Sequence, residues 1–453
     1  MNTPTTSTHE TNLPDLKDAQ LWADTTFNRL LSLWNEGLND AANNRGWLWD
    51  DFWKAGNTLD CVLNYLVVRQ PANTKVIAPD LLNRSLTNLF DKLHYPSNPY
   101  HWRDDYGWWG NALMTAYTNA EALGIEAKPE LKERCLRAAI DECWNKLKEN
   151  AEDNRNYKSP FDRSMFGEGY AAWNDHNAHD YEYDESGSPR VKPEETYMPV
   201  PNSVTNFGFW ALSIKLFEEL DNKDSQSKYL ESMRDTTDWL NTYDSRNLMF
   251  NHCDLINETP NPEAHKYWCA VDKGRRDRAW TADQGAFLYC VLKTLQNEPP
   301  NSPRRKNLEG WLERFAIGFL DGSNTLIDKN KVLREYDFNP PVRNDDNSSN
   351  FNDNYCTGPG VLMRYLGYAM PMLTVTELKP YFTEVISASA ESAWNCKLAE
   401  DQIRCWWDKY LENTNYFSYF SQSSGGKRTL WDFAFQTAAL DLFVALLRLY
   451  QLR

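Results

Sequence analysis

Apolar residues recur at intervals of three and four along most of the chain, which predicts α-helices. Alternating runs of the kind that form strands are almost absent. The pattern predicts twelve helices, at residues 15–38, 50–68, 79–93, 104–123, 130–147, 203–220, 226–242, 280–295, 308–320, 356–373, 376–394 and 428–449. Sequential helix pairs of this number form either a closed (α/α)6 barrel or an open solenoid. Because no fixed-length repeat is present, we predict an all-α protein with an (α/α)6 barrel.

The helical period is lost between residues 154–201, a stretch rich in proline, glycine and tyrosine. A connection of this length in a compact domain is usually functional or disordered. Its many aromatic residues favour an ordered flap over one rim of the barrel. Elsewhere no linker divides the chain. We therefore expect a flexible tail at residues 1–15 and a single catalytic domain at 16–453, with the aromatic loop inserted at about 154–201.

Composition points to a ligand with many hydroxyl groups. The chain has 19 Trp and 23 Tyr, and these side chains combine apolar area with a hydrogen-bonding tip. An aromatic core without a ligand surface is the simpler alternative. The formal net charge of −16 argues against nucleic acid and disfavours anionic membranes and polyanionic substrates. A neutral oligosaccharide or polysaccharide is therefore the expected partner, with no nucleic acid and no membrane; the oligomeric state stays open.

Nine cysteines occur singly and no CxxC pair is present, so neither a disulfide framework nor a zinc cluster is indicated. No basic and apolar signal segment opens the chain, which favours a cytoplasmic protein, or a secreted or periplasmic one if a signal was removed. Metal-capable groups occur at residues 176–182 and 344–353. Neither run has HExxH or EF-hand spacing, so we expect no metal and no cofactor.

Two adjacent carboxylates, Asp104 and Asp105, stand at the start of the fourth predicted helix. Acidic residues at such a position often cap free N–H groups and suit the helix dipole. Capping does not explain the tryptophans on both sides of the pair, Trp102, Trp108 and Trp109. Sugar rings stack on aromatic faces while two acids act on the glycosidic bond. The stretch is therefore a candidate glycosidase site.

The run DDYGWWGNAL at residues 104–113 resembles the paired-aspartate signature of family-76 glycoside hydrolases, the α-1,6-mannanase family. Residues 52–60 are similar to the first inner helix of that family, and residues 280–287 to its Tyr-Asn-Gln-Gly helix start. The glycine-rich residues 358–366 resemble the start of a late inner helix. The similarity extends from about residue 47 to 449, and only the paired-aspartate block is specific.

This resemblance implies an (α/α)6 barrel and a retaining mechanism, with Asp104 as the nucleophile and Asp105 as the general acid/base. A retaining site needs its carboxyl groups roughly 5 Å apart. Like charge and burial raise the pKa of one member of such a pair and keep it protonated near neutrality. Spacing alone leaves the two roles open, and their order is implied by the family.

Several polar residues lie at the starts of otherwise apolar helices, where each either binds sugar hydroxyls or caps the backbone. Asp283 stands where the family usually has Asn, and is either a third acid or a partner of the helix dipole. With Trp102, Trp108 and Trp109, the candidate substrate-binding residues are Asn57, Asp60, Asn206, Asp283 and Gln284.

Three functions remain open from the sequence. The first is a retaining glycoside hydrolase of neutral α-linked glycans, with α-1,6-mannan or manno-oligosaccharides as the first candidates and transglycosylation as a variant. A sugar epimerase or isomerase on the same barrel is the second, since fold alone does not fix function. The third is a glycan-binding barrel without catalysis.

Overall fold

A computed structural model shows the arrangement of the helices. It describes residues 13–39, 52–93, 103–156, 181–183, 189–191, 202–220, 222–245, 247, 249–251, 253–258, 279–321, 326–335, 357–373, 375, 377–397, 403, 407 and 430–453. The metal-capable run at 344–353, almost all of the run at 176–182, and Trp102 lie outside these residues.

The helices in these ranges account for most of the described chain. A π-helical stretch, Ala138–Trp144, joins two of them into one long helix, and a 3-10 turn, Met370–Met372, extends another. The helices are α1 Leu16–Asn39, α2 Phe52–Arg69, α3 Thr74–Leu93, α4 Arg103–Thr118, α5 Pro129–Arg137, α6 Asn145–Asn156, α7 Ser203–Glu219, α8 Lys223–Asp244, α9 Thr281–Asn297, α10 Pro303–Leu320, α11 Gly358–Ala369, α12 Leu378–Asn395 and α13 Leu430–Gln451.

Six of these helices form a closed inner ring in the order α2, α4, α7, α9, α11 and α13, and α13 packs back against α2. The remaining helices lie outside the ring and alternate with the inner ones along the chain. Inner helices are covered on both sides and are therefore apolar around most of their circumference. In α11, for example, all residues but one are buried. The predicted all-α (α/α)6 barrel is confirmed.

Within the described chain, one segment is long and apolar enough to cross a membrane, Phe433–Gln451 in α13, with a mean hydropathy of 1.4. Of this segment, 83% is buried. Its composition follows from its place in the inner ring, where neighbouring helices cover it on both sides.

Three outer helices differ from their predicted limits by five residues or more. Helix α10 begins at Pro303, five residues before the predicted start at 308. Helix α3 begins at Thr74, five residues before the predicted start, and contains Pro79 in its interior. The predicted fifth helix continues through the π-helical stretch to Asn156, nine residues beyond its expected end at 147. This extension is polar, so it has no apolar period, and ion pairs such as Lys148–Glu152 support it on the surface.

A short antiparallel pair of strands lies between α6 and α7, where almost no strand was predicted. Strand β1, Tyr181–Tyr183, pairs with β2, Pro189–Val191. Three residues per strand are too few for a periodic sequence pattern. Most of the predicted flap at 154–201 lies outside the described residues.

Candidate active site

A cavity lies inside the inner ring, among the first two or three turns of α4, α7, α9 and α11. The space between its lining atoms is about 300 Å³, a volume that includes open solvent. The N-terminal ends of these helices carry partial positive charge, which favours carboxylates nearby. The cavity is lined by Asp104, Gly107, Trp108, Asn111, Val204, Gly208, Ala282, Asp283, Ala286, Val361 and Tyr365.

Helix α4 contributes four lining residues because they share one face. Asp104, Gly107, Trp108 and Asn111 are spaced by three and four positions, so they follow one stripe of the helix. Helix α7 approaches α4 closely at this stripe. A Cβ atom placed on Gly107 would lie 3.3 Å from the Cα atom of Gly208, so both positions accommodate only a small residue.

Asp104 lines the cavity, and Oδ1 of its carboxyl group is buried although the residue as a whole is partly exposed. Burial raises the pKa of Asp104 to about 8, and the neighbouring charge of Asp105 adds to the increase. A hydrogen bond from the side chain of Trp108 opposes it without cancelling it. No described residue donates a hydrogen bond to Oδ1 of Asp104. The group therefore holds a proton at neutral pH.

Asp105 is more deeply buried than its neighbour, with 3% of its surface exposed. It does not line this cavity, so the structure brings Asp104 to the cavity but not Asp105. Its charge nevertheless contributes to the raised pKa of Asp104.

Of the two predicted tryptophans that the structure describes, one reaches the cavity. Trp108 lines it and packs between Trp53, at a ring distance of 5.5 Å, and Trp280, at 6.4 Å. Trp109 is 2% exposed and lies against Gly56 of α2, with ring atoms 3.0 Å from where a Cβ atom of that glycine would be. This position indicates that Trp109 serves as a packing contact between α2 and α4. Trp102 lies outside the described residues.

A second group of charged side chains fills the ring beyond the cavity. Arg364 donates two hydrogen bonds to the carboxylate of Asp441, at 2.8 and 2.7 Å, and one to Asp60, at 2.9 Å. Lys215 interacts electrostatically with Asp60 and donates to the hydroxyl of Thr115. We refer to Asp60, Lys215, Arg364 and Asp441 as the buried ion cluster.

The buried ion cluster contains two acidic and two basic side chains, and the attraction between them opposes the effect of burial on the pKa of each acid. Burial alone would raise the pKa of Asp60, but Lys215 and Arg364 together hold it below its usual value. Burial raises the pKa of Asp441 to about 6, although Arg364 opposes the increase. Two acids and two bases thus lie in an interior where an unpaired charge would be costly.

No family model matches the sequence, and no curated protein matches it either. Solved structures do match. A family-76 α-1,6-mannanase from Salegentibacter sp. HEL1_6 aligns with a TM-score of 0.58 and 14% identity, over 94% of this chain and 98% of that chain. The fold is that of the family-76 glycoside hydrolases. The resemblance predicted from the paired-aspartate block is confirmed at this level.

Two further structures share the family-76 fold. A family-76 α-mannanase from Bacteroides thetaiotaomicron aligns with a TM-score of 0.55 and 12% identity, covering 95% of this chain and 96% of that chain. Dfg5 from Chaetomium thermophilum, in complex with glucosamine, aligns with a TM-score of 0.58 and 12% identity, covering 97% and 93%.

Asp283, which departs from the family-76 sequence pattern, lines the cavity from the first turn of α9 and is 1% exposed. The backbone N–H of Thr281 in the same turn donates to Glu335 at 3.0 Å, so Glu335 caps this helix. Glu335 was not predicted, because it lies 54 residues away and its contact with α9 is not visible in a single sequence.

The two predicted substrate-binding residues on α2 are Asp60, a member of the buried ion cluster, and Asn57, which lies beside it. The side-chain oxygen of Asn57 accepts a hydrogen bond from Arg364 at 2.8 Å, and Asp60 pairs with the same guanidinium. Neither residue lines the cavity. Both are committed to holding α2 against α11, which explains their polarity in an apolar helix.

The other two predicted polar groups bond to the backbone. Gln284 donates to the carbonyl of Ile256 at 2.9 Å and accepts from its N–H at 2.8 Å. Asn206 donates to the carbonyl of Asn202 at 2.9 Å. Neither lines the cavity. In these positions, Gln284 fixes an irregular segment to α9 and Asn206 supports the start of α7.

Proposed function

We propose that this protein is a retaining glycoside hydrolase of neutral α-linked glycans, with α-1,6-linked mannose as the first candidate, and that Asp104 and Asp105 carry the reaction. The observation behind the proposal is the carboxyl group of Asp104, with a pKa of about 8, at a cavity beside an indole ring. A carboxyl pair that retains one proton at neutral pH can protonate a departing glycosidic oxygen. Trp108 lines the same cavity, where its indole would contact the sugar.

Structural neighbours support the choice of substrate and of the pair. One is an α-1,6-mannanase of Salegentibacter in complex with α-1,6-mannotriose, described as an inactive variant in which two consecutive aspartates are replaced by asparagine. A second variant with alanines at the same two positions holds α-1,6-mannotetrose. The same kind of acidic pair occurs here at residues 104 and 105.

In the proposed mechanism, whose order of roles follows the family, the proton that Asp104 holds at rest first passes to Asp105. The ionised Asp104 then attacks the anomeric carbon while Asp105 gives that proton to the glycosidic oxygen, so the bond to the leaving sugar breaks. A glycosyl ester on Asp104 results. A water molecule then attacks the anomeric carbon and gives a proton to Asp105, which restores both acids and releases a sugar with the original anomeric configuration. A second sugar in place of water would give transglycosylation.

The raised pKa of Asp104 favours the opposite assignment of roles, because a nucleophile must be ionised to attack. Azide distinguishes the two residues in alanine variants. Azide that replaces the nucleophile gives a glycosyl azide of inverted configuration, whereas azide that accepts the glycosyl group from the ester after loss of the acid/base gives a retained one. We expect the inverted product from Asp104→Ala and the retained product from Asp105→Ala; the reverse result would exchange the roles.

The central test measures hydrolysis of mannan, glucan and short α-linked oligosaccharides, with product mass analysis, by the wild type and by Asp104→Asn and Asp105→Asn. Each variant should lose at least about a hundredfold in kcat, because a positioned acid or base contributes roughly that much or more. Wild-type activity should also fall as the pH rises past about 8, where the pair loses its proton.

Asp80→Asn is the matched control, since Asp80 forms an exposed ion pair with Arg84 on an outer helix. It should leave turnover unchanged, and the melting temperatures of all variants should show that they fold. Appreciable turnover by both site variants would exclude the proposed mechanism. Tight oligosaccharide binding without cleavage would identify a glycan-binding barrel, and inversion at C2 seen by NMR would identify an epimerase.

A further inference from the structure

Asn111 lies in the cavity without an assigned role. It is on the same face of α4 as Asp104, seven residues further along, which places its Cα atom roughly 10 Å deeper along the helix axis. Its side chain is 97% buried, with 3% of the residue exposed. A polar side chain at this depth has to be satisfied by specific partners.

The orientation of this carboxamide is fixed by its neighbours. Nδ2 donates to the carbonyl oxygens of Gly107, at 2.8 Å, and Gly208, at 2.9 Å. Both partners are acceptors, so the nitrogen of the amide must face them and the oxygen must face the other way. Two of the four hydrogen-bonding positions of the amide are therefore used to join α4 to α7.

No described residue donates a hydrogen bond to Oδ1 of Asn111, although the atom is buried. A buried oxygen without a donor is destabilising. The amide nitrogen is already satisfied, so what the cavity offers at this point is an acceptor. Trp108 and Tyr365 line the same cavity and carry donor groups, but neither donates to this atom. A water molecule, or a hydroxyl group of a ligand that displaces it, can supply the donor.

We propose that Asn111 is a specificity-determining residue, whose Oδ1 accepts a hydrogen bond from a hydroxyl group of the sugar bound in the cavity. The choice of hydroxyl rests on the proposed function. If the anomeric carbon lies at Asp104, the group that extends deeper along α4 belongs to the far side of the ring, at C3, C4 or C6. The hydroxyl at C2, beside the anomeric carbon, stays near Asp104.

A deoxy-sugar scan tests this proposal by calorimetry or ligand-detected NMR. The probes are methyl α-mannoside and its 2-, 3-, 4- and 6-deoxy analogues, titrated into the wild type and Asn111→Leu. In the wild type, one of the 3-, 4- and 6-deoxy analogues should bind about tenfold more weakly than the parent, the equivalent of one lost hydrogen bond to a buried acceptor. In Asn111→Leu, that analogue and the parent should bind equally.

Asn64→Leu is the matched control, because Asn64 is an equally buried asparagine on α2 that bonds to Asp60 outside the cavity. This variant should keep the wild-type preference among the probes. If Asn111→Leu does not fold, the side-chain amide resonances of Asn111 in labelled wild type provide a second readout. They should shift with the parent sugar and not with the discriminated analogue.

An unchanged deoxy preference in Asn111→Leu, or the absence of binding by every probe, would overturn the proposal and leave Asn111 as a contact between two helices. These results are separable from the proposed function. Hydrolysis with a preference independent of Asn111 would retain the hydrolase and exclude this role. A preference that depends on Asn111 without any hydrolysis would retain this role and exclude the hydrolase.

Discussion

The inner ring holds buried carboxyl groups in two different settings. The pKa of Asp104 in the cavity is raised to about 8, whereas the pKa of Asp60 in the buried ion cluster is lowered. Burial pushes both values upward. The difference lies in their neighbours, because Asp60 has Lys215 and Arg364 beside it, whereas the charge that acts on the pKa of Asp104 is the like charge of Asp105. Ionisation inside this barrel is thus decided by where cations are placed.

The two settings are in contact with each other through α4 and α7. Lys215 donates to the backbone carbonyl of Asn111, at 3.1 Å, and to the hydroxyl of Thr115, at 3.1 Å. Thr115 in turn donates to Asp60 at 2.7 Å. The floor of the cavity therefore rests on the buried ion cluster.

The largest effect is expected for Arg364→Met. The change leaves Asp60 and Asp441 buried without the guanidinium that pairs them, so the free energy of unfolding should fall by about 3–5 kcal/mol. Chemical denaturation at pH 7 measures it. Arg84→Met is the control, since its ion pair with Asp80 is exposed and should contribute less than about 1 kcal/mol. Equal losses in the two variants would contradict the distinction between buried and exposed ion pairs.

A smaller effect is expected for Thr115→Val, which keeps the shape of the side chain and removes the hydrogen bond to Asp60. Hydrogen bonds to charged groups contribute about 1.5–3 kcal/mol, so the unfolding free energy should fall by about that amount. Thr87→Val is the matched control. Thr87 is a helical threonine on the surface, and its hydroxyl donates to the carbonyl four residues back. Its unfolding free energy should change by less than about 0.5 kcal/mol.

An effect of opposite sign is expected for Asp104→Asn. The folded pKa of about 8 exceeds the ordinary value of 3.8, so the folded protein binds more protons than the unfolded chain between these pH values. The wild type therefore loses stability as the pH rises from 4 to 8, and the variant lacks this loss. The unfolding free energy of the variant, measured by chemical denaturation, should therefore rise relative to that of the wild type over this range. Parallel stability curves would show that Asp104 titrates normally.

The sequence predicts the fold well because each helix carries its own periodic pattern. The spacing of Asp104 and Trp108, one turn apart on a single helix, is likewise enough to place both at the cavity. The predicted tail, domain limits and loop at 154–201 remain predictions. Where a prediction concerned a single polar residue, such as Gln284, its partner decided the outcome, and that partner lies on another segment of the chain.

The residues that the sequence analysis missed carried a signal that is clear in retrospect. Arg364 and Asp441 each interrupt an apolar helix, and two opposite charges buried on different helices are expected to meet. Asn111 lies on the same helical stripe as Asp104 and inside a run of buried residues. Spacing along one helix could have identified Asn111, but the pairing of Arg364 with Asp441 depends on how the ring closes.

The buried ion cluster also has a consequence for how a long glycan would move. Asp60, Thr115, Lys215, Arg364 and Asp441 come from five of the six inner helices, and together they obstruct the axis of the ring beneath the cavity. The ring is thus closed beneath the cavity by these side chains. A polysaccharide cannot thread through it from one end to the other, and a sugar that enters must leave by the opening through which it came.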